Sequence, residues 1–297
     1  MENKTLKSLL LDTFSDNELK LIPEKYLNRE LNLIEIEDHE NYLLHCKEKS
    51  KLFKIAGQHR IADWEKGWSG DGVYYSEDEY NNLPYYFKNN EYIRLNDKIF
   101  KDQKGFAEVD ILRALQLVVF KMYLPLTNAN IIIEYGCGTG SNIQFLKDYL
   151  PDTYEYFGSD WAISAVNKLL ENKILSSEKI FQVNYFDQDT YKAPDAPYIA
   201  FTNASLEQAG NNYQKFMDFL IADPLCRLGI HIEPIRELLD ISTPLNRQSF
   251  EYEEKRGYLK NFMSYLNEQN LEIKLAKDFG IGSTFLSGYQ VVIWGRK

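Results

Sequence analysis

The run Ile131-Ile132-Ile133-Glu134-Tyr135-Gly136-Cys137-Gly138-Thr139-Gly140 constrains this chain more than any other stretch. A short apolar run ends in three alternating glycines and passes into a helix-compatible segment, the pattern of a strand, a tight loop and a helix. Gly136, Gly138 and Gly140 carry no Cβ, so the loop can take unusual φ/ψ and a ligand can come close to its backbone N–H groups. Two better-known loops do not fit. A dinucleotide fingerprint needs G-x-G-x-x-G, and Ser141 stands where its third glycine should be. A Walker loop needs a Gly-Lys-Ser/Thr end, which this run lacks.

Four further strands follow from the apolar pattern. Tyr154-Glu155-Tyr156-Phe157-Gly158-Ser159-Asp160 ends in an acid; in nucleotide folds a carboxylate about 20 residues past the glycine turn accepts two hydroxyl protons. Asp160 also precedes the apolar-periodic Ala162 to Leu170, so it doubles as a helix cap candidate. Lys179 to Asn184 forms a third strand leading into Tyr185-Phe186-Asp187, and Pro197 to Thr202 a fourth, followed by Asn203-Ala204-Ser205-Leu206-Glu207-Gln208. A fifth, Arg227 to Glu233, stops at Pro234, and the two-residue strand period puts His231 and Glu233 on one side.

The glycine run and its spacing to Asp160 resemble the first two motifs of the Rossmann-like (class I) S-adenosylmethionine-dependent methyltransferases. The resemblance implies an α/β fold: a seven-stranded, mostly parallel, doubly wound sheet with an antiparallel last strand, over residues 106–297. Phe106 to Leu124 would be the helix before the first strand. Glu251 to Gln269 would be a long amphipathic helix with Tyr258, Leu259, Phe262, Met263 and Leu266 on its apolar face, and Leu271 to Ala276 and Tyr289 to Trp294 the final hairpin, with Gly280, Gly282, Ser283 and Gly288 in its loop.

The resemblance also implies a cofactor and its holders. Glu134 would help hold the methionine ammonium, the loop backbone at Gly136, Gly138 and Gly140 would lie against the methionyl and ribose part, Asp160 would take the ribose hydroxyls, and Trp161 would pack on the adenine edge. Many family members carry Gly-Asp after the third strand; Asn184 stands at that acid here, its amide oxygen able to accept from the adenine amino group, with Asp187 the competing residue and Tyr185 beside it. Asn203 lies where the transferred methyl group is expected. Nucleic-acid amino-methylating enzymes of this fold show Asn/Asp-Pro-Pro-aromatic at that point, and Asn203-Ala204-Ser205-Leu206 departs from it, which argues against nucleic acid.

The first 105 residues read as a helical and aromatic-rich cap. From Trp64 onward Trp68, Tyr74, Tyr75 and further aromatics are interleaved with Gly67, Gly70 and Gly72, a composition common in substrate lids and walls. Trp68, Tyr74 and Tyr75 are the residues expected to line a substrate pocket, against the alternative of aromatic packing of the cap itself. A formal charge of −10 over 297 residues argues against an extended phosphate-binding surface. Cys46, Cys137 and Cys226 lack C-x-x-C spacing, so neither a disulfide framework nor a zinc site is indicated, and no metal is expected. No signal peptide, membrane-spanning run or lipidation motif is seen, and a cytoplasmic protein without membrane partners is the expectation. Oligomeric state is left open.

The activity expected is methyl transfer from S-adenosylmethionine to a small polar molecule. His231-Ile232-Glu233-Pro234, Arg256-Gly257-Tyr258-Leu259 and the ending from Ser287 to Trp294 are also similar, more weakly, to bacterial sugar and natural-product O-methyltransferases. A hydroxyl acceptor needs a base. His231 is the first choice, with Glu207 and Glu233 as alternatives or orienters. N-methylation of a small amine, which needs no strong base, and a non-catalytic binding module stand as alternatives.

Overall fold

The computed structural model describes residues 4–69, 73–74 (backbone only), 80, 82–84, 87, 92–103, 105–283 and 288–297. Its frame is one large mixed sheet. In chain order the strands are β1 (Leu33–Ile36), β2 (Tyr92–Leu95), β3 (Lys98–Asp102), β4 (Ile131–Tyr135), β5 (Glu155–Asp160), β6 (Ile180–Gln182), β7 (Tyr198–Asn203), β8 (Cys226–Glu233), β9 (Leu271–Gly282) and β10 (Gly288–Arg296). They lie side by side in the order β6-β5-β4-β7-β8-β10-β9-β2-β3-β1. From β6 to β8 neighbours are parallel, and β10 enters antiparallel between β8 and β9.

The helices that matter for the site are α1 (His39–Ser50), α2 (Ile61–Trp68), α3 (Ala107–Tyr123), α4 (Ser141–Tyr149), α5 (Ile163–Glu171), α6 (Gln214–Ala222), α7 (Pro244–Arg256) and α8 (Phe262–Glu268). The sheet is covered on both faces, so its central strands read as continuous apolar runs rather than alternating ones. Ile132, Ile199, Phe201 and Ile230 face a core shared with α3 and the N-terminal segment around Leu6 to Tyr26. Ile131, Ile133, Tyr198 and Trp294 face the other, built with Phe216 and Leu220 of α6 and Phe262 and Leu266 of α8. Among the described residues no helix is long and apolar enough to cross a membrane.

Three expectations change. The sheet carries ten strands, because β1, β2 and β3 from the first hundred residues extend it rather than forming a purely helical cap. The link is β9, which runs to Gly282 and is paired on both edges there: past an irregularity between Asp278 and Gly282, Gly282 pairs with Gly288 of β10, while Ile281 and Gly282 pair with Leu95 and Arg94 of β2. Gly280 and Gly282 therefore belong to a strand, not to the hairpin loop. The long helix from Glu251 to Gln269 is two helices, since Gly257 closes α7 at φ +69° and Asn261 opens α8 at φ +60°; its apolar residues Leu259, Phe262 and Leu266 remain fully buried.

Candidate active site

Ligands in an open α/β sheet bind outside the carboxyl ends of the strands, where the chain order reverses. In this sheet the reversal lies between β4 and β7, and a cleft sits there. Its floor is the glycine loop. Gly136 and Cys137 donate their N–H groups to the Ser159 carbonyl at 2.8 and 2.9 Å, tying the loop to the end of β5. Gly136 must be glycine: at φ +75° a Cβ would lie 2.3 Å from the Cβ of Ser205 on the loop after β7. Gly138, at φ +52°, supports the ring of Trp68, whose atoms would be 2.9 Å from an added Cβ.

Asp160 ends β5 inside this cleft. Its carboxylate accepts the N–H of Gly138 and of Ala162, each at 2.9 Å. Burial pushes its pKa up to about 6, with those amides opposing the rise. Trp161 lines the wall, its ring 5.7 Å from that of Phe186 and inclined by 26°. Glu134 lies behind the loop, 1% exposed; one oxygen accepts the Asn142 side-chain N–H at 2.6 Å and the other has no partner among the described residues. Burial raises its carboxyl to about 8. Gly140, at φ +79°, opens α4 and so aims the first turn of that helix, with Ser141 and Asn142, at the cleft.

The third wall is the loop after β7. Ala204 sits at φ +48°, a conformation a non-glycine residue adopts only when its surroundings impose it. They do so here through Glu233, which accepts the N–H groups of Ser205, Leu206 and Glu207 at 3.1, 3.0 and 3.2 Å, while Ala204 N–H donates to the Ile232 carbonyl. Ser205 donates to the Tyr135 carbonyl at 2.8 Å, so Tyr185, 3.1 Å away, donates its hydroxyl to Ser205. Burial holds that phenol well above its ordinary pKa. Asn203 lines the cleft with a buried side-chain oxygen that has no partner among the described residues.

Several expected roles fail on geometry. His231 is fully buried and lies outside the cleft lining. Trp294 can only donate, so its indole N–H, 2.9 Å from His231 Nε2, makes that nitrogen the acceptor; Nδ1 then carries the proton and donates to Thr202 Oγ1 at 2.9 Å. Burial pushes the ring's pKa down to about 3. A histidine whose one basic nitrogen is capped by an indole in the core cannot take an acceptor's proton. Glu233 is likewise fully buried, raised to about 8 by burial and the nearby Glu207, and committed to the loop amides. Glu207 packs away from the cleft and accepts from Gln208 at 2.7 Å. Asn184 accepts the Phe186 N–H at 3.0 Å through its side-chain oxygen, a local turn, and Asp187 caps the short helical turn after it; neither lines the cleft.

Trp68 lines the cleft. Tyr75 and the side chain of Tyr74 lie outside the described residues. The cleft also uses residues that sequence reasoning left unassigned: Trp64, Pro84, Phe87, Asn142, Ser205 and Gln208. Asn142, in the first turn after the glycine loop, and Ser205, two residues after Asn203, were within reach of the motif spacing.

No family model matches the chain, and no curated protein does. Among solved structures it is similar to the plantazolicin methyltransferase with bound SAH, at 14% identity and TM-score 0.46 over 85% of this chain and 100% of that one. It is similar too to magnesium protoporphyrin IX methyltransferase from Synechocystis with bound SAH, at 13% identity and TM-score 0.45 over 64% and 86%. A third is the methyltransferase domain of a bacterial Hen1, at 17% identity and TM-score 0.42 over 60% and 94%. None of these likenesses supplies a residue role for this chain.

Proposed function

We propose that this chain is an S-adenosylmethionine-dependent methyltransferase acting on a small polar molecule, with nitrogen as the receiving atom. The observation that carries the reading is the meeting, in one cleft, of the glycine loop, the Asp160 carboxylate and the Asn203–Ser205 loop at the switch point of a sheet ordered third-second-first-fourth-fifth-last-sixth in its methyltransferase-like part. The residues fit the cofactor. Gly136 and Gly138 leave room beside the backbone that a Cβ would fill, and Glu134 keeps an unpartnered buried oxygen behind the loop.

When bound, S-adenosylmethionine supplies an electrophilic methyl group on a sulfonium. The protein's own work is alignment and exclusion of water. Asp160, oriented by the Gly138 and Ala162 amides, keeps lone pairs for the ribose hydroxyls. Glu134, steadied by Asn142, answers the methionyl ammonium through the loop. Trp161, backed by the ring of Phe186, would pack on the adenine edge. Asn203 accepts an N–H of the acceptor, directing the nitrogen lone pair at the methyl group.

A nitrogen acceptor is favoured over the hydroxyl expected from sequence by what lines the cleft. Among the described residues its titratable groups are Asp160, Cys137 and Tyr185. The thiol and phenol are pushed well above their ordinary values by burial, and Asp160 belongs to the cofactor. A neutral amine needs no strong base, so this lining suffices. The division into a cap of residues 1–105 and a cofactor-binding part of 106–297 belongs to the same proposal.

The test is calorimetry of the wild-type chain with S-adenosylmethionine, S-adenosylhomocysteine and NADH, followed by a screen of small amines and alcohols for methylated product. Saturable binding of the first two and product from amines are expected. Tight NADH binding without S-adenosylhomocysteine binding would sink the reading, and product from alcohols alone would restore the hydroxyl acceptor.

A further inference from the structure

Helix α2 roofs the cleft. Trp64 and Trp68 project from it into the lining, their rings 6.0 Å apart and 24° from parallel. Trp68 is buried against Ala162 and Ala165 at the start of α5, in a small cluster separate from the two cores that flank the sheet. Detaching α2 would therefore leave the sheet cores untouched. What holds it in place is the residue between the two tryptophans.

Glu65 reaches from α2 to the first turn of α5. One carboxylate oxygen accepts the N–H of Ile163 at 2.6 Å, the other that of Ser164 at 3.0 Å, and the Glu65 backbone carbonyl accepts the Ser164 hydroxyl at 3.0 Å. Helix α5 has no cap of its own. Its N-cap is Ala162, which has no side-chain acceptor, and the first N–H groups of a helix need one. A carboxylate also complements the positive end of the helix dipole. The cap thus comes from 98 residues away in sequence, and it attaches the roof to the helix that begins directly after Asp160 and Trp161. At its other end Arg60 donates to the Gln208 side-chain oxygen at 3.1 Å, on the loop after β7. The roof is tied to the cofactor wall at one end and to the acceptor wall at the other.

We propose that Glu65 is a positioning residue: by capping α5 it latches α2 and its two tryptophans over the glycine loop, so that release of the bound cofactor requires the latch to open. The proposal rests on the reading of the cleft as an S-adenosylmethionine site. Glu65 touches neither cofactor nor acceptor in this role; it acts through Trp64 and Trp68.

The molecule carries its own reporter, since three of its four tryptophans, Trp64, Trp68 and Trp161, line the cleft. Stopped-flow tryptophan fluorescence with S-adenosylhomocysteine measures association and release directly. Wild-type binding is established first by calorimetry; no binding there removes the cofactor reading and the latch with it. With binding in hand, Glu65→Ala is expected to speed release about 3- to 30-fold, the range of losing one charged helix cap, and Ser164→Ala to speed it less. Because Glu65→Ala also uncaps α5, the double variant Glu65→Ala/Ala162→Ser restores a local cap without restoring the tie to α2. It should recover the thermal stability of the unliganded protein while keeping the fast release. Recovery of both would reduce Glu65 to a structural cap, and unchanged release in Glu65→Ala would overturn the latch outright.

Discussion

Two pairs of polar residues lie at the carboxyl ends of strands of the same sheet, and only one pair adjoins the cleft. Glu134 and Asp160 close β4 and β5; His231 and Glu233 close β8. Burial does not separate them, for all four are at most 4% exposed. What separates them is the chain that follows and the face they point to. After β4 the glycine loop turns back and leaves a cleft. His231 instead points to the face covered by α8, where Phe262 lies 5.6 Å from its ring and Trp294 of the adjoining strand β10 caps its nitrogen. A polar strand end is thus a necessary position for a functional residue and not a sufficient one.

The contrast breaks most readily at His231. His231→Ala removes a buried ring and strands the Thr202 hydroxyl and the Trp294 N–H, so it should destabilise by about 3–5 kcal/mol while cofactor affinity of the folded fraction stays within about twofold. Denaturant unfolding beside calorimetry checks both. The pH dependence follows from the lowered pKa: between the ordinary value of 6.5 and about 3 the unfolded ring binds a proton that the folded ring does not. This residue's contribution therefore falls as pH falls through that window, and the gap between wild type and variant should narrow with it.

Next in size is Asp160→Ala. Loss of a charge-assisted hydrogen bond of about 1.5–3 kcal/mol raises the dissociation constant for S-adenosylhomocysteine roughly tenfold to several hundredfold. Asn203→Ala sharpens the acceptor side of the comparison: kcat/KM for the amine should fall about tenfold, with cofactor affinity nearly unchanged, as expected for about 1–1.5 kcal/mol of a lost neutral hydrogen bond. Unaltered kcat/KM would remove Asn203 from the acceptor site.

The smallest effect is at Glu134. Its folded pKa of about 8 lies above the ordinary 4.5, so the folded state holds this proton more tightly and stability from the group is full below pH 4.5 and lost as pH rises through 8. Glu134→Gln keeps the acceptor for Asn142 and cannot ionise. It should melt a few degrees (about 2–4 °C) above wild type at pH 9 and level with it near pH 4.5; an equal difference at both values would show that Glu134 does not ionise in the fold.

The glycine-loop half of the candidate site was legible because its signals are local. Glu134, the three glycines and Asp160 stand at spacings dictated by one strand-loop-helix-strand unit, and a run of isoleucines marks the strand. The other half depends on contacts distant in sequence. Nothing near His231 announces Trp294, 63 residues on, as the donor that silences it. Nothing near Glu65 announces α5. Nor did the sequence show that Asn184 serves a local turn, a role a side-chain amide at a strand end takes as readily as ligand binding. The helix after β8 was read as continuous because apolar periodicity runs through Gly257 even though its backbone does not. The three N-terminal strands were hidden because each has at most five residues and they join the sheet only through β2, which pairs with the far end of β9, an edge that exists only once the hairpin has formed.

The most direct test measures S-adenosylhomocysteine affinity side by side in wild type, Asp160→Ala and His231→Ala, by calorimetry at one pH where all three are folded. The prediction is saturable wild-type binding, weakened at least tenfold in Asp160→Ala and within about twofold of wild type in His231→Ala. Wild-type affinity in Asp160→Ala together with lost binding in His231→Ala would contradict the assignment of the cleft and of the two strand ends at once.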